Sequence, residues 1–279
     1  MDMWYLIVDK LFPFEFMQHM FMRNAFLAVI LITPILGILG TMVINNKMAF
    51  FSDALGHSAL TGIAIGVIFG IKEPIWAMIV FSVLLGTAIL IVKNANTASV
   101  DTIIGVFSSA AVALGIVILS HSGGFSKYSV YLIGDLLSIT GQDIYMLAVV
   151  LICVVILWLL IFNKLLLVSI NKALARSRGV NAEAVEYLFT LIIAVVVTIS
   201  IQWVGLLIIN SLLILPAASA RNIARNVRQY HVYSVFIAII SGISGLILSY
   251  FIGTATGATI VLVSAVFFVV TFMLKPKFA

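Results

Sequence analysis

Charge is what this sequence has least of. Only 9% of its 279 residues are Asp, Glu, Lys or Arg, while 63% are hydrophobic. A soluble domain carries about 25% charged residues. So little charge cannot cover a surface facing water on all sides, which excludes a soluble globular protein and offers no surface for nucleic acid. Cysteine is nearly absent too. Cys153 stands alone inside an apolar run, so no disulfide within the chain and no thiolate metal cluster can form, and the residue reads as a small packing group. No G-x-x-x-x-G-K-[ST] run occurs, which excludes ATP hydrolysis by a phosphate loop in this chain. H-E-x-x-H and G-x-S-x-G are absent as well. At the N-terminus the apolar run Met3–Val8 is shorter than the roughly 7–15 residues of a signal peptide, and Asp2 and Asp9 flank it in place of a basic region.

Long apolar runs fill the sequence. They recur at about 20 residues, the length of a membrane-spanning helix, whereas barrel strands alternate over about 10. The fold class is therefore all-α: a polytopic integral membrane protein of about eight to nine transmembrane helices, with residues 1–279 forming one transmembrane domain. Residues 1–22 read as an interfacial segment with Trp4, Tyr5, Phe12, Phe14 and Phe16 at headgroup depth. Nine passes are expected: Asn24–Ile44, Ser52–Gly70, Ile75–Val92, Asp101–Ser120, Ile144–Phe162, Val185–Gln202, Val204–Ala220, Val232–Ile252 and Ala258–Leu274. The seventh contains Asn210, Ser211 and Pro216 and is expected to be broken or re-entrant. A polar stretch, His121–Asp143, separates the fourth and fifth passes, with a short surface helix expected at Tyr128–Ile139.

The basic residues test this count. With the Arg176/Arg178 loop in the cytoplasm, that side holds Lys47, Lys93, Lys164, Lys172, Arg176, Arg178, Arg221, Arg225, Arg228, Lys275 and Lys277. The other side holds Lys10, Arg23, Lys72 and Lys127. Positively charged residues collect on the cytoplasmic side of membrane proteins, so the asymmetry supports both the orientation and the pass count.

One stretch organises the rest. Ser52-Asp53-Ala54-Leu55-Gly56-His57-Ser58 puts an acid and an imidazole four residues apart at the start of the second pass. In a helix they share a face, one turn apart. An ionisable pair entering a membrane is costly and marks a functional site. Ala54, Ser58, Gly62 and Gly66 form a neighbouring stripe of small residues that lets another helix come close. A carboxylate with an imidazole suits Mn²⁺, Fe²⁺ or Zn²⁺. Two ligands are fewer than the four of a structural zinc site, which fits a conduit that must release its ion or a site completed by a second copy. Spacing alone leaves a plainer reading open, in which Asp53 caps its helix and His57 bonds a backbone carbonyl.

The other candidates are weaker. Asp101 at the head of the fourth pass reads as an N-terminal cap and dipole partner. His19, His121 and His231 read as interfacial, and Asp135 as a solvated acid of the outer segment. Asn210 and Ser211 fall mid-span, where an amide needs a partner, and either line the ion's path or join two helices. The hydrophilic segment 170–184 reads as a short helix, Lys172–Arg178, ended by Gly179 as a left-handed cap. That is more structure than charge topology requires and suits a docking segment for a cytoplasmic partner.

These blocks together resemble the permease subunit of the metal-ion ABC importers, the zinc/manganese/iron family. Met48–Gly62 is similar to that family's D-A-L-S-H hallmark, with Gly56 in place of the usual serine. Asp101–Gly115, Tyr131–Ser138, Ala173–Val180 and Val204–Ala217 resemble four further blocks in the same order. The resemblance implies a type II importer-like permease in the bacterial cytoplasmic membrane. It implies that a divalent Zn, Mn or Fe ion is carried as substrate, with no permanently bound cofactor. The partners implied are cytoplasmic ABC ATPase subunits, an extracytoplasmic metal-binding protein and a second permease copy. Asp53 and His57 match the residues that hold the metal in transit, and Lys172, Ala175, Arg176, Arg178 and Gly179 fall in the segment that meets the ATPase. The rival readings are a gradient-driven metal transporter or channel, and an importer of metal chelates, which needs a wider cavity.

Overall fold

The computed structural model describes residues 15–71, 74–95, 98–122 and 136–275, without the side chains of residues 15, 16, 202, 203 and 207. Most of the expected interfacial segment, Asp135 and all but the end of the expected surface helix at Tyr128–Ile139 lie outside the described residues; Leu136–Ser138 forms a single 3-10 turn.

Among the described residues ten α-helices follow one another and no strand occurs. They are α1 (Met20–Asn45), α2 (Phe51–Ile68), α3 (Pro74–Asn94), α4 (Val100–Ser122), α5 (Gly141–Ile170), α6 (Lys172–Ser177), α7 (Ala182–Val204), α8 (Leu206–Ile223), α9 (Val227–Ile252) and α10 (Thr256–Met273). Eight of them are long and apolar enough to cross a membrane by length and composition. Every expected pass coincides with one helix, and α6 is the expected short polar one.

Two boundaries differ from expectation. The fifth pass does not end at Phe162, because α5 runs on through Asn163 and Lys164 to Ile170. A helix continues wherever its backbone bonds do, whether or not it has left hydrocarbon, and 30 residues at 1.5 Å each outlast a bilayer core of about 30 Å. The expected break at Pro216 is absent: α8 passes through that residue, as α1 passes through Pro34. Neighbouring groups in a helical bundle re-satisfy what a proline leaves unpaired. The interruption lies at Gly205, whose φ of 85° and ψ of 158° are open to glycine and separate α7 from α8.

The chain packs as two compact units that interleave along the sequence, so neither is one contiguous stretch. The first comprises Met1–Thr41, Asp135–Val155 and Ser211–Ala279. Within it the close approaches occur at glycines. A Cβ on Gly40 would meet the Leu213 carbonyl oxygen at 1.8 Å, and one on Gly245 would meet Ile260 Cα at 2.6 Å. Buried hydroxyls bond across helices, as Ser234 Oγ donates to the Gly37 carbonyl at 2.6 Å and Tyr230 Oη to that of Thr41 at 3.3 Å. Against lipid, apolar surface gives helices little reason to associate, so this intimate contact and these bonds hold the unit together.

The second unit, Met42–Gly134 and Ile156–Asn210, is built around α2. That helix is the least apolar of the eight long ones and also the most buried. Protein replaces lipid on its sides, so small polar residues are tolerated. The small-residue stripe packs on α3: a Cβ on Gly62 would meet Met78 Cα at 2.6 Å, and one on Gly66 would meet Ala77 Cβ at 2.9 Å. On another side Thr61 Oγ1 donates to the Ala111 carbonyl of α4, and Gly115 lies directly over Thr61.

Candidate functional site

The approach to α2 sets the height of its polar pair. At the end of α1 the amide of Met48 bonds the Val43 carbonyl at 2.9 Å and that of Lys47 bonds Ile44 at 3.1 Å, with Lys47 at a φ of 56°. This left-handed cap turns the chain inward. Met48 and Phe51 are buried at 2% and 0% exposure. Phe51 and Leu55 close on Gly86, where a Cβ would meet Phe51 Cζ at 3.2 Å. Gly86 lies eight residues before the end of α3 at Asn94, about 12 Å along the helix axis. The Phe51 ring at the first turn of α2 thus reaches the body of α3 and not its end. Within the Asn45–Phe51 link Met48 and Phe51 turn into the protein while Lys47 and Phe50 stay exposed.

Asp53 is the third residue of α2, whose N-cap is Phe50 with no side-chain cap bond. Its carboxylate is not used as a cap. Oδ1 accepts a 2.6 Å hydrogen bond from Asn210 Nδ2, across 157 residues of sequence, and lies 3.6 Å from His57 Nε2. His57 makes no hydrogen bond to a backbone carbonyl among the described residues, so neither half of the plainer reading applies. The two side chains keep 44% and 42% of their surface open. Asn210 is therefore a neighbour of the pair, its Oδ1 buried and without a partner among the described residues. Ser211, the next residue, is not among the contacts of Asp53. Asp53 also lines a groove of about 320 Å³ with Phe50, Asp101, Ile104, Gly105, Ser108 and Ser109. Among the described residues no three His, Cys, Asp or Glu side chains cluster as a metal site. A carboxylate, an imidazole and an amide are what one chain brings together here, and all three are ligands a hard or borderline divalent cation accepts.

Asp101 is not the cap of α4. Ser99 is, its Oγ accepting from the Thr102 amide at 3.2 Å, while Asp101 sits in the first turn where a carboxylate favours the helix dipole. His19 stacks on Phe21 with ring centroids 5.4 Å apart, His121 is exposed in the last turn of α4, and His231 Nδ1 lies 2.7 Å from the Val227 carbonyl. None of the three joins the pair.

The hydrophilic segment is as expected in outline. Asn171 caps α6 by accepting from the Leu174 amide at 3.1 Å, and Gly179 at a φ of 76° lets the Val180 amide return to the Ala175 carbonyl at 3.0 Å. Its residues divide between two sides. Ala175 is fully buried, and Lys172 Nζ reaches back 2.7 Å to Glu186. Leu174, Arg176, Ser177 and Arg178 are exposed, with Arg176 paired to Glu183 at 3.0 Å. Sequence reasoning missed Leu174 as an exposed apolar residue, and Glu186 and Lys93 as an interior ion pair at 3.6 Å. The available signal was the rarity of acids: only 10 Asp and Glu residues occur in the chain, and Glu186 lies inside an apolar helix.

The profile of the ABC 3 transport family matches residues 18–275. The chain belongs to that family. Among curated relatives it is 33% identical to the manganese import system permease protein ScaB of Streptococcus parasanguinis, over 93% of this chain and 92% of that one. It is 33% identical to the high-affinity zinc uptake system membrane protein ZnuB of Haemophilus influenzae, over 91% and 97%. Among solved structures it resembles a chain of PsaBC from Streptococcus pneumoniae in complex with Fab, with a TM-score of 0.80, 28% identity and coverage of 99% and 97%. As an ABC 3 family member with eight membrane-length apolar helices, the chain is a multi-pass permease of the cytoplasmic membrane.

Proposed function

We propose that this permease carries a divalent transition-metal ion (manganese, zinc or iron) into the cytoplasm, with Asp53 and His57 holding the ion in transit. The observation that carries the reading is the Asp53 carboxylate. It lies inside the most buried span, is not spent on capping its own helix, and faces an imidazole one turn away. The relatives named for manganese import and zinc uptake support the same class of cargo.

The chemistry follows from the ligands. A dehydrating cation needs negative charge to replace its water, and Asp53 supplies it. His57 adds a nitrogen that manganese, iron and zinc all accept. Asn210 fixes the carboxylate through its amide and brings a further oxygen beside it. Too few ligands for a closed cage makes for binding weak enough to release, and a second permease copy brings the same set again.

Energy enters from a partner. The chain holds no phosphate-loop motif, so a separate cytoplasmic ATPase hydrolyses ATP. It docks on the exposed face of α6, at Leu174, Arg176 and Arg178, while Lys172 and Ala175 hold that helix to the body and Gly179 ends it. An extracytoplasmic binding protein delivers the ion to the outer mouth. Binding and hydrolysis shift the permease between facings for which the partners have different affinity.

Uptake of radioactive Mn²⁺ and Zn²⁺ into vesicles tests this. Vesicles carrying the chain with its ATPase should accumulate one or both ions only when ATP is present. Uptake by the chain alone, driven by an ion gradient, would contradict the proposal in favour of a secondary transporter.

A further inference from the structure

A carboxylate that the transit site does not use lies deep in the same unit. Glu186, one turn into α7, keeps only 5% of its side-chain surface. It stands between two cations. Lys93 Nζ, near the end of α3, is 3.6 Å from Oε1 and 12% exposed; Lys172 Nζ, the first residue of α6, is 2.7 Å from Oε2 and 45% exposed. Each lysine reaches one contact further. Lys172 Nζ also donates to Asn94 Oδ1 at 3.3 Å, and Lys93 Nζ to Met48 Sδ at 3.6 Å. Met48 is buried just ahead of α2. Above this network Gly86 of α3 lies against Phe51 at the start of α2, two residues before Asp53, and also against Thr190 of α7, a helix that itself packs on α2.

A buried ion network is weak evidence for stability, because apolar groups of similar size often serve as well. Charge within a membrane span points to function instead. What this network does, and an apolar patch would not, is tie one residue of the docking segment directionally to the two helices that seat the first turn of α2. We propose that Glu186 is a positioning residue. It transmits displacement of α6 to the start of α2, and so sets whether Asp53 and His57 hold or release the ion. The inference rests on the reading of α6 as the ATPase-docking segment and goes beyond it by naming the link from that segment to the metal.

The test uses the permease with its ATPase in vesicles, radioactive Mn²⁺ and Zn²⁺ as probes, and two readouts: metal moved per ATP hydrolysed, and co-purification of the ATPase. Lys172→Met severs the exposed end and leaves the Lys93–Glu186 pair intact. The double variant Lys93→Met with Glu186→Leu removes the buried ions together, and the half-exposed Lys172 that remains keeps water and Asn94 Oδ1 as partners. Both should retain the ATPase and continue to hydrolyse ATP, while metal moved per ATP falls about ten-fold, in the range of ordinary coupling energies. Lys172→Arg should restore the ratio. An unchanged ratio in the first two variants would overturn the proposal. So would loss of the ATPase from them, which would make the network a docking anchor and no more. Failure of the wild-type chain to bind an ATPase at α6 would strike the underlying reading first and this inference with it.

Discussion

Asp53 occupies a helix position where a carboxylate usually serves its own backbone, and here it serves side chains. Its oxygen takes the Asn210 amide at 2.6 Å and faces His57 at 3.6 Å. A hydrogen bond to a charged group contributes about 1.5–3 kcal/mol, enough to decide where the carboxylate points. Asn210→Ala should therefore raise the metal concentration needed for half-maximal uptake about ten-fold, the equivalent of 1.4 kcal/mol, with ATP hydrolysis and expression close to wild type. Concentration-dependent uptake measures this, and an unchanged half-maximal concentration would remove Asn210 from the site. The pair itself was legible in the sequence, because four-residue spacing in a helix is local geometry. The partner was not. Asn210 could be singled out as a mid-span amide, yet nothing in one dimension joins it to an acid 157 residues away. Glu186 was hidden for a similar reason, since by composition it closes a basic segment, and only packing shows it enclosed by lysines from two other helices.

Among elements, two devices recur. The first is a glycine at the point of closest approach. Gly40→Ala should destabilise the protein by several kcal/mol, above the 1–3 kcal/mol usual for overpacking, because the added carbon meets a backbone oxygen at 1.8 Å and not a mobile side chain. Thermal unfolding in detergent should show a large fall in midpoint. The second device is an asparagine cap. Asn171, Asn181 and Asn226 each accept the amide three residues on, at 3.1, 3.0 and 2.8 Å. Asn181→Ala should lower stability by about 1 kcal/mol, measurable by the same unfolding assay, without changing the helix content. The helices and the Gly179 cap could be read from apolar runs and turn residues, since these are properties of single segments. Pro216 misled because its expected effect belongs to helices in water. The interruption at Gly205 falls two residues from the boundary expected between Val185–Gln202 and Val204–Ala220, where Gln202 and Trp203 break the apolar run.

At the scale of the whole molecule, low charge, eight long apolar helices and the asymmetry of lysine and arginine all describe one multi-pass permease. Which faces are lipid-exposed and which are shared could not be read from sequence. The structure resolves part of that by making α2 the most buried span although it is the least apolar. That inversion suits the proposed ion path, because the least apolar helix packs against more apolar neighbours. The account stands on the claim that the ion rests on the α2 pair. The direct measurement is Mn²⁺ and Zn²⁺ uptake by the ATPase-loaded permease carrying Asp53→Asn or His57→Ala, with complex assembly and ATP hydrolysis followed in the same vesicles. The expected result is assembly and hydrolysis near wild type with uptake reduced to background in both variants. Uptake at the wild-type rate in both would contradict it.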